Sequence, residues 1–216
     1  MSIALAAFSV VCLVLFLAFA VPAYKKREKE SFSITNHFCF EILPLKENPT
    51  FIPLLIPISL YLLSFVGNFI YFAITDYGPM NVIIAFISVL IAFSIGVLFF
   101  LPLSKLRERC FFSIIFIVLV AVINALLAYE ATIYRNMYLN NLAYVSFGLN
   151  GLILLFSLVV IFSPKLFDFS LKKNEDGTTE RKGFYLLAFY EWLLIMIVPL
   201  TQVSIIIMEI IKKQGA

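Results

Sequence analysis

Histidine is nearly absent from this chain: His37 is the only one among 216 residues. A single imidazole excludes a bis-histidine haem site and an H-E-x-x-H zinc helix. Cysteine is scarce too. Cys12, Cys39 and Cys110 form no C-x-x-C pair, so neither a disulfide framework nor a structural zinc site is expected. His37-Phe38-Cys39 offers two ligands where a structural zinc takes four. No metal and no cofactor is therefore expected. The sequence also lacks a G-x-S-x-G elbow and a G-x-x-x-x-G-K-[ST] loop, which removes the α/β-hydrolase nucleophile and self-supplied ATP hydrolysis. Charge is the other shortage. Only 13% of residues are charged and 62% are hydrophobic, against ~25% and 45–50% in soluble domains.

The hydrophobic residues are gathered into six long runs: Ile3–Ala23, Ile52–Thr75, Met80–Leu103, Phe111–Glu130, Leu142–Ser163 and Phe184–Ile211. A helix that crosses a bilayer needs ~20 mostly apolar residues. The expected fold is thus all-α, a polytopic bundle of about six transmembrane helices forming one domain over residues 1–216. The connections are short, and Asp76-Tyr77-Gly78-Pro79 reads as a tight turn. The two longer loops, 24–51 and 164–183, are too small to fold as separate domains. Ala18-Phe19-Ala20 resembles a signal-peptidase site, but no basic residue precedes the first run and four follow it closely. A retained signal anchor fits better than a cleaved signal.

Thirteen of the sixteen lysines and arginines fall in three loops, 24–51, 104–110 and 164–183. Basic loops stay in the cytoplasm, so the N-terminus and, after six crossings, the C-terminus are expected outside the cell or inner membrane. Lys212-Lys213 dissent from this order. A re-entrant hairpin at Pro199 would return them to the basic side, although each half would be short for a crossing. Within loop 24–51 the apolar residues alternate from Phe38 to Ile42, a strand-like period. That segment reads either as chain lying at headgroup level or as a docking surface for a partner.

Glu191 stands out in the last run, flanked by Tyr190 and Trp192. A 28-residue helix would be about 42 Å long, longer than the ~30 Å hydrocarbon core. If the aromatic pair marks an interface, residues 192–211 cross unaided and Glu191 stays wet at the boundary. Against this, Glu191, Gln202 and Glu209 fall within roughly 20° of one helical line, and intramembrane polar groups face the bundle interior. No span offers a central lysine or arginine. A buried Glu191 would then be protonated, hydrated or paired with a cation. The sequence favours the boundary position, with the side chain facing the bundle. Glu130 and Arg135 are expected to pair at the outer surface.

Other runs carry matching seams: Ser64, Asn68, Tyr71 and Thr75; Ala85, Ser88, Ala92 and Gly96; Ala121, Asn124, Ala125 and Ala128; Ser146, Asn150 and Ser157 beside Gly148 and Gly151. Small residues let helices approach, and Ser or Asn bond across them. Helix packing accounts for most of this pattern. Asn68, Tyr71, Asn124, Asn150, Glu191 and Gln202 are the candidate polar seam, for packing or for a ligand. Three functions follow: a small permease or channel for a solute or ion, or the membrane subunit of one, with Glu191 as its gating or coupling carboxylate; a non-catalytic membrane subunit or assembly factor; and, least supported, a lipid-modifying enzyme, for which no acid, base and nucleophile cluster is visible. Expected partners are membrane lipids and other membrane subunits or further copies of the chain; nothing invites nucleic acid.

Overall fold

The computed structural model describes residues 1–43, 51–101, 105–166, 172–173, 179–180 and 184–215. Its helices are α1 (Ser2–Glu28), α2 (Phe51–Thr75), α3 (Pro79–Phe100), α4 (Leu106–Tyr138), α5 (Ala143–Ile161), α6 (Leu186–Ile197) and α7 (Thr201–Gly215). The only strand pairing among the described residues is a two-residue antiparallel ladder, Lys172–Lys173 with Thr179–Glu180. Six spans are long and apolar enough to cross a membrane, the sixth running through α6 and α7 together. The protein is an all-α, multi-pass integral membrane protein. Parts of the three basic loops 24–51, 104–110 and 164–183 lie outside the described residues.

Local chemistry sets the helix ends. Gly78 precedes α3 in extended conformation and Pro79 takes the first helical position, where its missing N–H costs nothing. Lys25, Lys26 and Arg27 occupy the last turn of α1, where positive charge complements the helix dipole. Lys29 closes that helix in the left-handed region, at φ 58°. The fourth helix is 33 residues long and extends beyond the apolar run Phe111–Glu130 at both ends. Arg109 is therefore helical, not part of a basic loop.

Neighbours in sequence pack side by side, α1 on α2, α2 on α3, α3 on α4 and α4 on α5, while α7 touches α1, α2, α4 and α5. The last span is thus the shared wall of the bundle. Leu63, Phe86 and Leu152 are exposed, as lipid-facing side chains should be.

Pro199 breaks the last span into α6 and α7 through a 3-10 turn, Val198–Leu200. Proline has no N–H to offer the carbonyl four residues back, here that of Ile195. Tyr61 on α2 donates its hydroxyl to that carbonyl at 3.2 Å, so the break is repaired from a neighbouring helix. The chain then continues across. Glu209 accepts from Ser2 at 2.5 Å, Lys212 reaches Asp76 at 2.7 Å, and Asn140 donates to Gln214 at 3.0 Å. These contacts put the C-terminal end beside Met1, the α2–α3 turn and the α4–α5 turn. They overturn the hairpin alternative at Pro199, and they explain Lys212: it is held by Asp76 at the far end from the basic loops.

Two local expectations change. The Phe38–Ile42 stretch is not strand-like, because Cys39–Ile42 forms a 3-10 turn. Phe38, Cys39, Ile42 and Leu43 are buried against the bundle, so their side chains are covered by the chain itself. The glycines also behave differently. A Cβ added at Gly96, Gly148 or Gly151 would meet nothing within 4 Å, so none of the three mediates a close helix approach within this chain.

Candidate functional site

The polar residues of the bundle form three tiers along the last span. The tier nearest the basic loops centres on Glu191. Its side chain is buried, and it forms an ion pair with Arg109 of α4. Its second oxygen accepts from Ser113 Oγ at 2.8 Å. Arg109 also donates to the carbonyls of Leu98 at 3.2 Å and Leu101 at 2.7 Å. Leu98 lies in the last turn of α3 and Leu101 caps it, where carbonyls lack helical partners. The guanidinium thus ties the end of α3 to the last span. The expectation of a wet Glu191 at the boundary is corrected: it sits at the basic end of the bundle, but it is dry and paired with a cation.

A cap seals this tier. Phe38 lies under the Arg109 guanidinium, 4.7 Å from ring centroid to carbon. Trp192 donates its indole N–H to the carbonyl of His37 at 2.8 Å, and the Tyr185 amide donates to Thr35 O at 2.7 Å. Arg27 donates to Glu41 O at 2.7 Å, and the Glu41 carboxylate accepts from the Phe38 amide at 2.7 Å. The Cys39 thiol faces Glu191. Burial, then the Glu191 charge, push this thiol well above its ordinary range. Trp192 is therefore fully buried and anchors the cap, where the sequence suggested an interfacial marker.

The middle tier joins three helices. Gln202 of α7 donates to Ser9 Oγ of α1 at 3.1 Å and accepts from Asn68 of α2 at 2.9 Å. The third tier lies towards the other end, where Asn150 of α5 donates to Ser204 of α7 at 2.7 Å. Asn124 of α4 is buried, but its amide N–H goes only to its own helix, Val120 O at 2.8 Å. The side-chain oxygens of Asn68, Asn124 and Asn150 are buried with no hydrogen-bond partner. Beyond the third tier, Glu209–Ser2 and Lys212–Asp76 close the end of the bundle.

The structure places Glu191 with Arg109, and Gln202 with Asn68. It places Asn150 against α7 through Ser204. Asn124 lies buried on a helix that packs on α7. Tyr71 is only half-buried, and no described contact brings it to the others. Sequence reasoning missed Arg109, Ser113, Ser9, Ser204 and Tyr61. A usable signal existed for the first two. Arg109, Ser113, Phe116, Val120, Asn124 and Leu127 recur at helical spacing and are all buried, which extends the polar seam of α4 back to Arg109. The expected Glu130–Arg135 pair is absent: Arg135 donates to Asn136 at 3.2 Å and lies over Tyr144. No group of three metal-ligating side chains occurs among the described residues. Set against known proteins, the chain matches no family model, no curated protein and no solved structure.

Proposed function

We propose that the protein is a small permease or channel, or the membrane subunit of one, with its path along the last span. On this reading the path is closed at both ends. Among the described residues five buried carboxamide oxygens lack a hydrogen-bond partner, and the observation that carries this reading is that three of them, on Asn68, Asn124 and Asn150, stand on three helices that pack against α7. A buried acceptor without a partner is costly, more so where no bulk water reaches. Acceptor oxygens suit a cation, or a small solute that donates hydrogen bonds. Polar groups in a span that face the bundle are by default functional candidates.

The break at Pro199 supports the same reading. Discontinuous helices line substrate sites in many transporters, and a 3-10 stretch in mid-helix often marks a hinge. The break lies between two closures. Arg109–Glu191 with its cap shuts the basic end, and Lys212–Asp76 shuts the other. Movement of α6 against α7 about Val198–Leu200 would open one end while the other stays shut. This arrangement gives Glu191 the gating role through Arg109, in place of direct contact with a solute. The charge asymmetry puts the basic end in the cytoplasm and both termini outside.

The test is flux into proteoliposomes of the purified chain, read for sodium, potassium, protons and small polar solutes. Asn124→Leu removes an oxygen that no described protein group uses, so fold and melting should hold while flux falls. A folded wild type that passes none of these species, or an Asn124→Leu variant with unchanged flux, would turn the assignment to a non-catalytic membrane subunit, whose polar tiers serve packing alone.

A further inference from the structure

An apolar groove of about 550 Å³ runs between α1 and α2 on the outside of the bundle. Phe8, Leu15, Phe19 and Ala23 form one wall, and Pro57 and Leu60 form part of the other. Ala23 is the smallest side chain that lines the groove. Phe19 is 62% exposed, so the groove opens towards the hydrocarbon. Phe8 to Ala23 spans about 22 Å of helix, longer than the ~15 Å half-thickness of a bilayer core. One acyl chain of a leaflet fits along it.

The groove has a charged end. Helix α1 continues to Glu28, and Lys26 follows Ala23 by three residues and Phe19 by seven. Those intervals return to the same helical face, one turn past the end of the groove. Lys25, Lys26 and Lys29 are exposed, and no described hydrogen bond or ion pair engages their ammonium groups. The acidic neighbours do not cancel them. Glu28 lies on the opposite side of the helix from Lys26 and is held by Arg27 at 2.5 Å, while Glu30 lies beyond the helix end. Basic residues beside a span attract anionic headgroups, and the one on the groove's own face, Lys26, contributes about a fivefold preference.

We infer that the α1–α2 groove is a binding site for an anionic phospholipid, with one acyl chain along Phe8–Ala23 and the phosphate at Lys26. A basic residue one turn beyond an open apolar trough is the juxtaposition such a lipid needs: tail and headgroup are recognised together.

The experiment is native mass spectrometry of the full chain. Delipidated protein is exposed to an equimolar mixture of dioleoyl phosphatidylglycerol and dioleoyl phosphatidylcholine, which share chains and differ in charge. Wild type should retain the anionic lipid about fivefold over the zwitterionic one. Lys26→Gln should keep lipid but lose most of that preference. Ala23→Trp fills the trough and should lose the tightly held lipid altogether, with thermal melting confirming the fold. Lys213→Gln, at the other end of the bundle, should behave as wild type. Equal retention of the two lipids by wild type overturns the proposal, as does an unchanged preference in Lys26→Gln. A wild-type dimer that Ala23→Trp splits, with no lipid held, assigns the groove to a second copy of the chain and also overturns it. None of these outcomes depends on flux through the bundle.

Discussion

Arg109 and Glu191 give the sharpest quantitative expectation. Their side chains are 0% and 1% exposed, so water cannot compensate either charge when the other is removed. Breaking a buried pair from one side costs about 3–5 kcal/mol, because the remaining charge is stranded. Glu191→Gln keeps acceptor and donor atoms near Arg109 and Ser113, so its cost should lie near 3 kcal/mol, roughly a hundredfold in the folding constant. Arg109→Met also strands the Leu98 and Leu101 carbonyls and removes the contact with Phe38, so its cost should approach 5 kcal/mol. The double variant Arg109→Met, Glu191→Leu removes both charges and should recover to within about 2 kcal/mol of wild type. Reversible unfolding in mixed micelles, read at Trp192, measures all three. Additive losses in the double variant would refute the reasoning, since they would mean that the two side chains do not interact.

Other predictions rest on single contacts. Tyr61→Phe should cost about 1 kcal/mol, since it leaves the Ile195 carbonyl without a donor beside Pro199; no change in melting would show that the break is repaired otherwise. Gln202→Leu strands Asn68 and Ser9 together and should cost about 1–2 kcal/mol, and it should not add to Asn68→Leu if the two form one unit. Asp76→Asn should change stability by less than about 1 kcal/mol, because Lys212 and Asp76 are partly exposed. Cys39 is buried and its thiol is pushed up, so it should stay unlabelled by maleimide at pH 7 in folded protein and label on unfolding.

The architecture was legible because the bilayer imposes a simple rule: spans are long, apolar and helical. Six runs could be counted, and the helical line joining Glu191, Gln202 and Glu209 pointed at residues that all bond inward. What escaped was the partner of Glu191. Arg109 stands among Lys105, Arg107 and Glu108, where composition reads as a loop; only the later members of its stripe, Ser113 to Leu127, place it on a buried helical face. The cap escaped for another reason. Alternation over five residues, Phe38 to Ile42, is too short to separate a strand from a turn that buries both ends. Tyr61 could not have been foreseen, because its role depends on the packing of α2 against the Ile195 carbonyl, 134 residues later, which Pro199 frees. The glycines misled in the opposite direction: small residues permit close packing, but Gly148 and Gly151 face open space.

The claim that a closed path runs along the last span is tested most directly by water access to the seam. Asn150→Cys, in the full chain in native membranes, would be treated with a membrane-impermeant thiol reagent and read by peptide mass at position 150. The account predicts slow modification in the closed protein and faster modification, by up to about fivefold, when Asp76→Asn releases Lys212. A cysteine at 150 that stays unmodified in both backgrounds would contradict it and leave the buried asparagines as packing residues.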